Sequence, residues 1–459
     1  MEKHSLPVYY KADVVVCGGG TAGVFAAIAA AEHGKKVIII EQFGSVGGSA
    51  TNALVTPIMK NSIVDNPQCS YISNKVRDRI FAYGGSDKDG LKFDPLVLKI
   101  VLEELCVEAG VKLLYHTFIA DVVKEGNKLK SVMIVNKAGM QLVEGDIFID
   151  CTGDGDIGVF AGAEYTKGNP DTGKTQPISI RYIVGGIDLP EVGRFFASEI
   201  KRTGVCRAVG VDVNSEYGIY GAVTGTGKWT LSDLFEQAIA NGDLIEDDKL
   251  YWQAFNLPNR YDTLAFNNPE FFDDVDGTNP DHLTRTQIEG RKRIFRQLNF
   301  YKKYMKGFEN AYISEIAPMV GIRETRHIAA VYVLTANDLL SKKKFEDAIC
   351  QSNYPVDIHG KVLDFNDYSK PIDDGRPYYE IPYRSLVVKG IDNLFVTGRC
   401  LGAEFLAQSS LRVQHSVRAS GEAAGIAAAF ALDKGILPRE IDGRVVRAEM
   451  EKLGAVFAK

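Results

Sequence analysis

Long apolar runs are missing from this chain. Its main small-apolar stretches, Val24–Ala31 and Ala423–Leu432, stop at Glu32 and Asp433, short of the roughly 18 apolar residues a membrane span needs. The N-terminal MEKHSLPVYYKADVVV contains no continuous apolar signal core. An excess of basic charge is missing too. With 53 Lys and Arg against 59 Asp and Glu the net charge is -6, which argues against a nucleic-acid surface. The 7 cysteines include no CxxC pair; the pattern reads as reduced thiols in a cytoplasmic protein. There is no HExxH, no G-x-S-x-G elbow and no cysteine–histidine cluster at metal-ligand spacing, so no metal is expected. Internal repeats and low-complexity tracts are absent as well. The lysine-rich Ser341–Lys344 reads as a solvated turn or helix end.

What is present is ordinary soluble composition, 45% apolar and 24% charged, in a chain of 459 residues that is long enough for two domains. Near its start stands VVVCGGGTAG, Val14 to Gly23. Gly18, Gly20 and Gly23 satisfy G-x-G-x-x-G between the short β-branched run Val14–Val16 and the alanine-rich Val24–His33. The first glycine allows a tight turn, the second lets backbone approach a pyrophosphate, and the third lets helix pack on strand. A helix opening near Thr21 and Ala22 would offer unpaired N–H groups and a positive dipole end to the phosphates. Glu41, followed by Gln42, ends the second run Val37–Ile40, where a carboxylate reaches ribose hydroxyls and disfavours a 2′-phosphate. This spacing predicts a dinucleotide but does not separate NAD from FAD.

Further along, Asp94-Pro95 is an N-cap followed by proline at the first helical position, and the helix it starts stops at Gly110. Residues Leu113–Cys151 alternate β-rich runs with turns at Glu125-Gly126-Asn127 and Lys137-Ala138-Gly139. They read as a three-stranded antiparallel meander returning to the parallel sheet at Asp146–Cys151. From about Gly185 to Tyr379 the βα rhythm disappears, with one long basic amphipathic helix at Leu283–Lys306. Strand pattern resumes at Asn393–Thr397, and a small-residue helix follows from about Ser410 to Leu432. The predicted architecture is α/β: a discontinuous Rossmann-like domain (1–60, 91–184 and 385–459) carrying a parallel sheet and an antiparallel meander. An α+β substrate or cap domain (61–90 and 185–384) is inserted in it.

GGGTAG with Glu41 and the later GSVGGSATNALV resemble the FAD-binding opening of the glutathione-reductase superfamily, which also includes the fumarate reductase and succinate dehydrogenase flavoproteins. DIFIDCTGDGDIGVFAGAEY is similar to that superfamily's strand ending in Thr-Gly. VGIRETRHIAAVYVLTANDLL, NYPVDIHG, YYEIPYRSLV and NLFVTGRCLGAEFLAQSSLRVQHSVRASGEAAGIAAAFAL resemble the family named simply FAD-dependent oxidoreductase, over nearly the whole chain. The resemblance implies FAD as cofactor. It puts Gly18, Gly20 and Gly23 at the pyrophosphate and Glu41 at the ribose, with Gly47, Gly48 and Ser49 beside the pyrophosphate and ribityl chain. Thr152, Gly153 and Asp154 close the site, Gly398 meets the ribityl region, and Ser410 and Leu411 present N–H groups to the flavin C2 carbonyl. Two departures stand out. Gly398 is followed by Arg399 where many relatives have Asp, so Arg399 is free to reach phosphate or substrate. Ser49 follows Gly48, which does not support a histidyl flavin linkage there.

A second nucleotide loop is lacking. GAVTGTGKWT, Gly221 to Thr230, has Ala222 where a P-loop needs its first glycine and Trp229 where it needs Ser or Thr. Electrons therefore leave by contact with a second substrate, a carrier protein or oxygen. Arg323 and Arg326, three apart, would share one helix face and grip a carboxylate or hydroxyls. Arg412 and His415, three apart at the start of the C-terminal helix, would face the flavin edge, with His415 as proton acceptor. His359 sits in the turn-like Asp357-Ile358-His359-Gly360, an exposed loop position that suits a cleft wall. Against these stand plainer roles: arginines pairing with acids such as Glu324, helical histidines that merely pack, and Cys400 as a small buried residue. The expectation is a dehydrogenase passing hydride between a polar or anionic small molecule and flavin N5. An FAD-assisted isomerase or hydratase and an electron-relay subunit are the alternatives. The expected partners are that substrate, an external electron acceptor and a second copy of the chain, with no nucleic acid and no membrane.

Overall fold

The computed structural model describes residues 5–59, 63, 69–206, 209–224, 227–273, 275–359 and 378–458. The first sheet is built on β1 (Val8–Cys17), β2 (Val37–Ile40), β3 (Lys112–Leu114), β4 (Phe118–Glu125), β5 (Lys128–Asn136) and β6 (Gly139–Asp150), ordered 3-2-1-6-5-4. β1 runs parallel to β2 on one side and to β6 on the other. All four residues of β2 are buried, as a strand covered on both faces requires. β6 is one continuous strand: its first half pairs antiparallel with β5, and its last residues pair parallel with the strand Leu394–Val396. The meander and the return to the parallel sheet are thus a single element.

Between β1 and β2 lies α1 (Thr21–Glu32), nine of whose residues are buried. It packs against the C-terminal helix Gln414–Lys434 at very close range. A Cβ on Gly421 or Gly425 would lie 2.2 Å from the Ala22 carbonyl oxygen or 2.1 Å from that of Ala26, so only glycine permits the crossing. The helices α2 (Tyr71–Ala82) and α3 (Pro95–Glu108) complete this layer, and Asp94 caps α3 through the Leu96 N–H as the sequence predicts.

A second, six-stranded antiparallel sheet runs in the order Val209–Asp212, Gly218–Val223, Gln253–Leu257, Arg260–Phe266, Tyr182–Gly185, Tyr312–Ile316. It carries an aromatic core in which Phe266 stacks between Tyr182 and Tyr301, with ring centroids 4.9 Å and 5.2 Å away. Tyr301 belongs to the helix Pro280–Tyr304, capped by Asn279, which matches the long basic helix expected from sequence.

The cores divide the chain differently from the sequence expectation. Ile178, Ile180, Tyr182 and Val184 lie in the second core, on the far side of the boundary expected after 184. Leu334, Ile349, Tyr379 and Tyr383, with Tyr71, Ile72, Val76 and Ile80 of α2, pack in the first core, although 61–90 and 185–384 were assigned to the cap. The reason is pairing that composition does not reveal: Ala348–Ser352 pairs with Tyr379–Pro382 beneath the C-terminal helix. Lys342, expected in a solvated turn, is buried with φ of 51°. A small apolar seam of Leu54, Ile183, Leu257, Ala265 and Ala317 joins the segment after the glycine turn to the second sheet.

Candidate functional site

Two adjoining cavities of about 430 Å³ and 440 Å³ lie on either side of the glycine turn, sharing Gly20, Gly48, Thr152, Met319 and Arg399. The turn is shaped to admit a ligand's backbone. A Cβ at Gly23 would lie 2.0 Å from the Gly18 carbonyl oxygen, whereas one at Gly20 would meet nothing closer than 3.9 Å; Gly20 faces open space. Gly48 passes so near that its Cβ would sit 2.7 Å from the Gly20 Cα. Gly47 N donates to the Gly19 carbonyl (2.8 Å), and the Thr21 hydroxyl donates to the Gly47 carbonyl (3.1 Å). The N-cap of α1 is Gly20, with no side chain to occupy the first N–H groups. Two glycine loops are thereby locked around a helix N-terminus, the arrangement that receives phosphates.

The second cavity is the end nearer Glu41, Gln42, Thr117 and Phe118. Glu41 Oε2 accepts from Gly19 N (2.7 Å) and Oε1 from Phe43 N (2.9 Å). Burial raises its pKa against the lowering effect of these backbone donors. At the end of β6, the buried Asp150 is pushed up to about 6 by burial; it accepts from Thr152 N–H, the Thr152 hydroxyl and Gly158 N–H. It thereby fixes the turn that places Thr152 and Gly153 in the first cavity wall. Ser49 and Ala22 also line the first cavity and Asp154 lines the second, while Gly398 lines the first with φ of 84°.

Arg399 is not free for phosphate. Its Nη2 donates to Asp154 Oδ1 (2.6 Å), Nε to the Gly153 carbonyl (3.0 Å) and Nη1 to the Ile322 carbonyl (2.7 Å). It acts as a clamp joining the Thr152 turn to the second unit's loop. Ser410 and Leu411 are likewise corrected. They lie within the short helix Phe405–Leu411, and the Ser410 hydroxyl bonds the Tyr354 carbonyl and Tyr379 OH. The chain breaks at Arg412–Val413 and a new helix begins at Gln414. The helix N-terminus is therefore at Gln414, after Val413, and Val413 and Gln414 line the first cavity.

The far part of the first cavity is a chamber lined by Arg181, Tyr251, Arg323, Tyr354, His359 and Arg412. Arg323 forms a buried ion pair with Glu270 and donates to the Pro177 carbonyl (2.8 Å). His359 stands between Glu270 (Nδ1 to Oε1 3.1 Å) and Asp357 (Nε2 to Oδ1 3.5 Å), its ring edge-on to Tyr251. Burial and Arg323 disfavour the imidazolium, but Glu270 and Asp357 prevail and raise the His359 pKa. Asp357, despite burial, is held well below the usual carboxylate range by His359 and Arg412. Arg412 donates from Nη2 to the Asp357 carbonyl (3.0 Å), and its buried Nε has no hydrogen-bond partner among the described residues. Arg181 donates to the Thr56 carbonyl (3.2 Å) and has no ion pair among the described residues. Burial, then Arg323, draws its pKa down to about 9.

Other expectations are corrected. Arg323 and Arg326 share no helix face: Arg323 is in a loop and Arg326 opens the strand Arg326–Ile328, bonded to Asp156 (2.8 Å) and the Asp154 carbonyl. His415 does not line either cavity; its Nε2 meets the Gln351 carbonyl at 3.1 Å. His359, expected on an exposed loop, is largely enclosed, with 15% of its side chain accessible. Cys400, by contrast, is the small buried residue expected, its thiol raised by burial. Sequence reasoning missed Arg181, Tyr251, Glu270 and Tyr354, which come from four separate segments; the Asn268-Pro269 break just before Glu270 was the one local hint.

An α/β fold whose glycine turn, acid-ended strand and paired cavities cradle a two-part ligand is that of a dinucleotide-binding enzyme. Residues 13–450 match the FAD dependent oxidoreductase family, and the chain belongs to it. A digeranylgeranylglycerophospholipid reductase of Methanothrix thermoacetophila is 25% identical over 166 residues, 34% of this chain and 42% of the relative. A thiamine thiazole synthase of Methanococcus aeolicus is 29% identical over 155 residues, 31% of this chain and 54% of the relative. These matches span only about half of each relative's length. A solved geranylgeranyl bacteriochlorophyll reductase-like protein of Thermoplasma acidophilum aligns over 97% of this chain and 83% of its own, at 13% identity and a TM-score of 0.48. No helix among the described residues is long and apolar enough to cross a membrane.

Proposed function

We propose that the protein is a dehydrogenase of a polar, anionic small molecule bearing a hydroxyl group. The observation that carries this reading is the chamber. Three guanidinium groups converge on it, Arg181 with no ion pair among the described residues, beside a histidine flanked by two carboxylates. FAD, when bound, supplies the two-electron hydride acceptor at N5.

The chain's own residues do the rest. Arg181 and Arg412 hold the substrate's anionic group, with the unpaired Arg412 Nε as one donor. His359 takes the hydroxyl proton, and the Glu270 and Asp357 carboxylates stabilise the resulting imidazolium. Arg323 is neutralised by Glu270 and positions that carboxylate. The N-terminus of Gln414–Lys434 adds a positive dipole end at the cavity wall, which suits negative charge developing there.

The test is anaerobic mixing of the yellow protein with hydroxy acids, sugar acids and cyclic alcohols. A dehydrogenase substrate bleaches the flavin. Product formation without net bleaching would instead reveal a redox-neutral isomerase, and a protein that takes up no FAD would remove the reading altogether.

A further inference from the structure

His415 turns away from the chamber toward two cysteines that lie far from it in sequence. Cys69 precedes Ser70, the N-cap of α2; Cys350 is the middle residue of the strand Ala348–Ser352; His415 is the second residue of the helix Gln414–Lys434. One ligand-type atom from each lies within 4.8 Å of the others; both cysteines are fully buried and His415 is 9% exposed. The peptide of Gln351 organises them. Its N–H donates to Cys69 Sγ (3.4 Å), and its carbonyl meets His415 Nε2 (3.1 Å) and Cys350 Sγ (3.6 Å). The N–H on Cys69 Sγ and the carbonyl on His415 Nε2 are contacts that a thiolate and a metal-bound imidazole keep, while the Cys350 thiol proton on that carbonyl is one of the two lost on binding.

We propose that Cys69, Cys350 and His415 form a zinc site. Two thiolates and an imidazole are the donor set zinc prefers, and three protein ligands leave one tetrahedral position for water. The charges also balance: one divalent ion and two thiolates leave a neutral cluster, which a buried place without an added counter-charge tolerates. Binding forms two Zn–S bonds and one Zn–N bond and releases two thiol protons to solvent, with no change of oxidation state. The ion ties the start of α2, the strand Ala348–Ser352 and the first turn of the C-terminal helix together. Gln414 and Val417, the neighbours of His415 in that helix, line the first cavity, so the site braces the wall of the chamber without entering it.

The test uses the flavin-loaded protein isolated under reducing conditions. Elemental analysis should find one zinc per chain. The metal-stripped protein titrated with cobalt(II) should show tetrahedral d–d absorption to the red of the flavin bands. Cys350→Ser and Cys69→Ser should each weaken zinc affinity by roughly tenfold or more in competition with a chromophoric chelator, while the exposed Cys206→Ser keeps it. Flavin content reports whether each variant has folded, and the competition on the unaltered protein is independent of the variants. Absence of both zinc uptake and the cobalt bands overturns the proposal. So does mass mapping that finds Cys69 and Cys350 joined as a disulfide in the freshly isolated protein.

Discussion

The cofactor cradle and the chamber meet at Thr152 and Arg399, yet they are made of different material. The cradle is mostly backbone: Gly18, Gly20, Gly23, Gly47 and Gly48 bring main-chain N–H groups to a helix end, and one acid, Glu41, braces them through Gly19 N–H. The chamber is made of side chains delivered by loops and strands remote in sequence, from Arg181 to Arg412, and held by mutual charge. A backbone site tolerates no added atom, while a side-chain site tolerates loss of one member if its partners are not stranded. Variants in the first should therefore cost cofactor, and variants in the second should spare cofactor and cost turnover.

The sharpest break is Gly23→Ala. Its Cβ would fall 2.0 Å from a backbone oxygen, a clash well beyond the about 1–3 kcal/mol of ordinary overpacking; the purified variant should be colourless. Next is Glu270→Gln, which strands the buried Arg323 and should lower stability by about 3–5 kcal/mol, read as a fall in denaturant midpoint. A smaller loss follows from Glu41→Gln. Both carboxylate oxygens accept from backbone N–H, so the amide's NH₂ would oppose one of them, at about 2 kcal/mol. Equilibrium FAD affinity should drop about thirtyfold.

Arg181→Met should sharpen the contrast from the other side. With no ion pair among the described residues to break, it should leave denaturant midpoint and flavin content nearly unchanged while raising the substrate KM about tenfold. Loss of flavin from this variant would break the division between cradle and chamber. The smallest effect is in pH. His359 must be neutral to accept a proton, and its pKa is raised by Glu270 and Asp357. The rate of substrate oxidation should therefore rise with pH through a value above that of an ordinary imidazole. Asp357→Asn should move that rise to lower pH.

The same difference in material decided what could be read in advance. Gly18, Gly20, Gly23 and Glu41 lie within 24 residues on one βαβ unit, and local sterics force their arrangement, so motif spacing is enough. Arg181 and Tyr251 carry no local signal and Glu270 only the Asn268-Pro269 break before it, because their convergence depends on long-range pairing, in the six-stranded sheet and between Glu270–Phe271 and Ile178–Ser179. The misplacement of His415 and Ser410 has one cause. Arg412–Val413 interrupts what reads as a single helical run, and the new helix turns His415 toward Gln351. Where arginines were read on a helix, tertiary pairing made Arg326 a strand residue bonded to Asp156.

The glycine crossing between α1 and the C-terminal helix also sets an order of events during synthesis. α1 leaves the ribosome well before its cover, which closes over the Ala22 and Ala26 carbonyls through Gly421 and Gly425. The strand Leu394–Val396 that completes the sheet beside β6 also follows α1 at long range in the chain. A nascent chain halted before Gly421 therefore presents a bare apolar helix to chaperones.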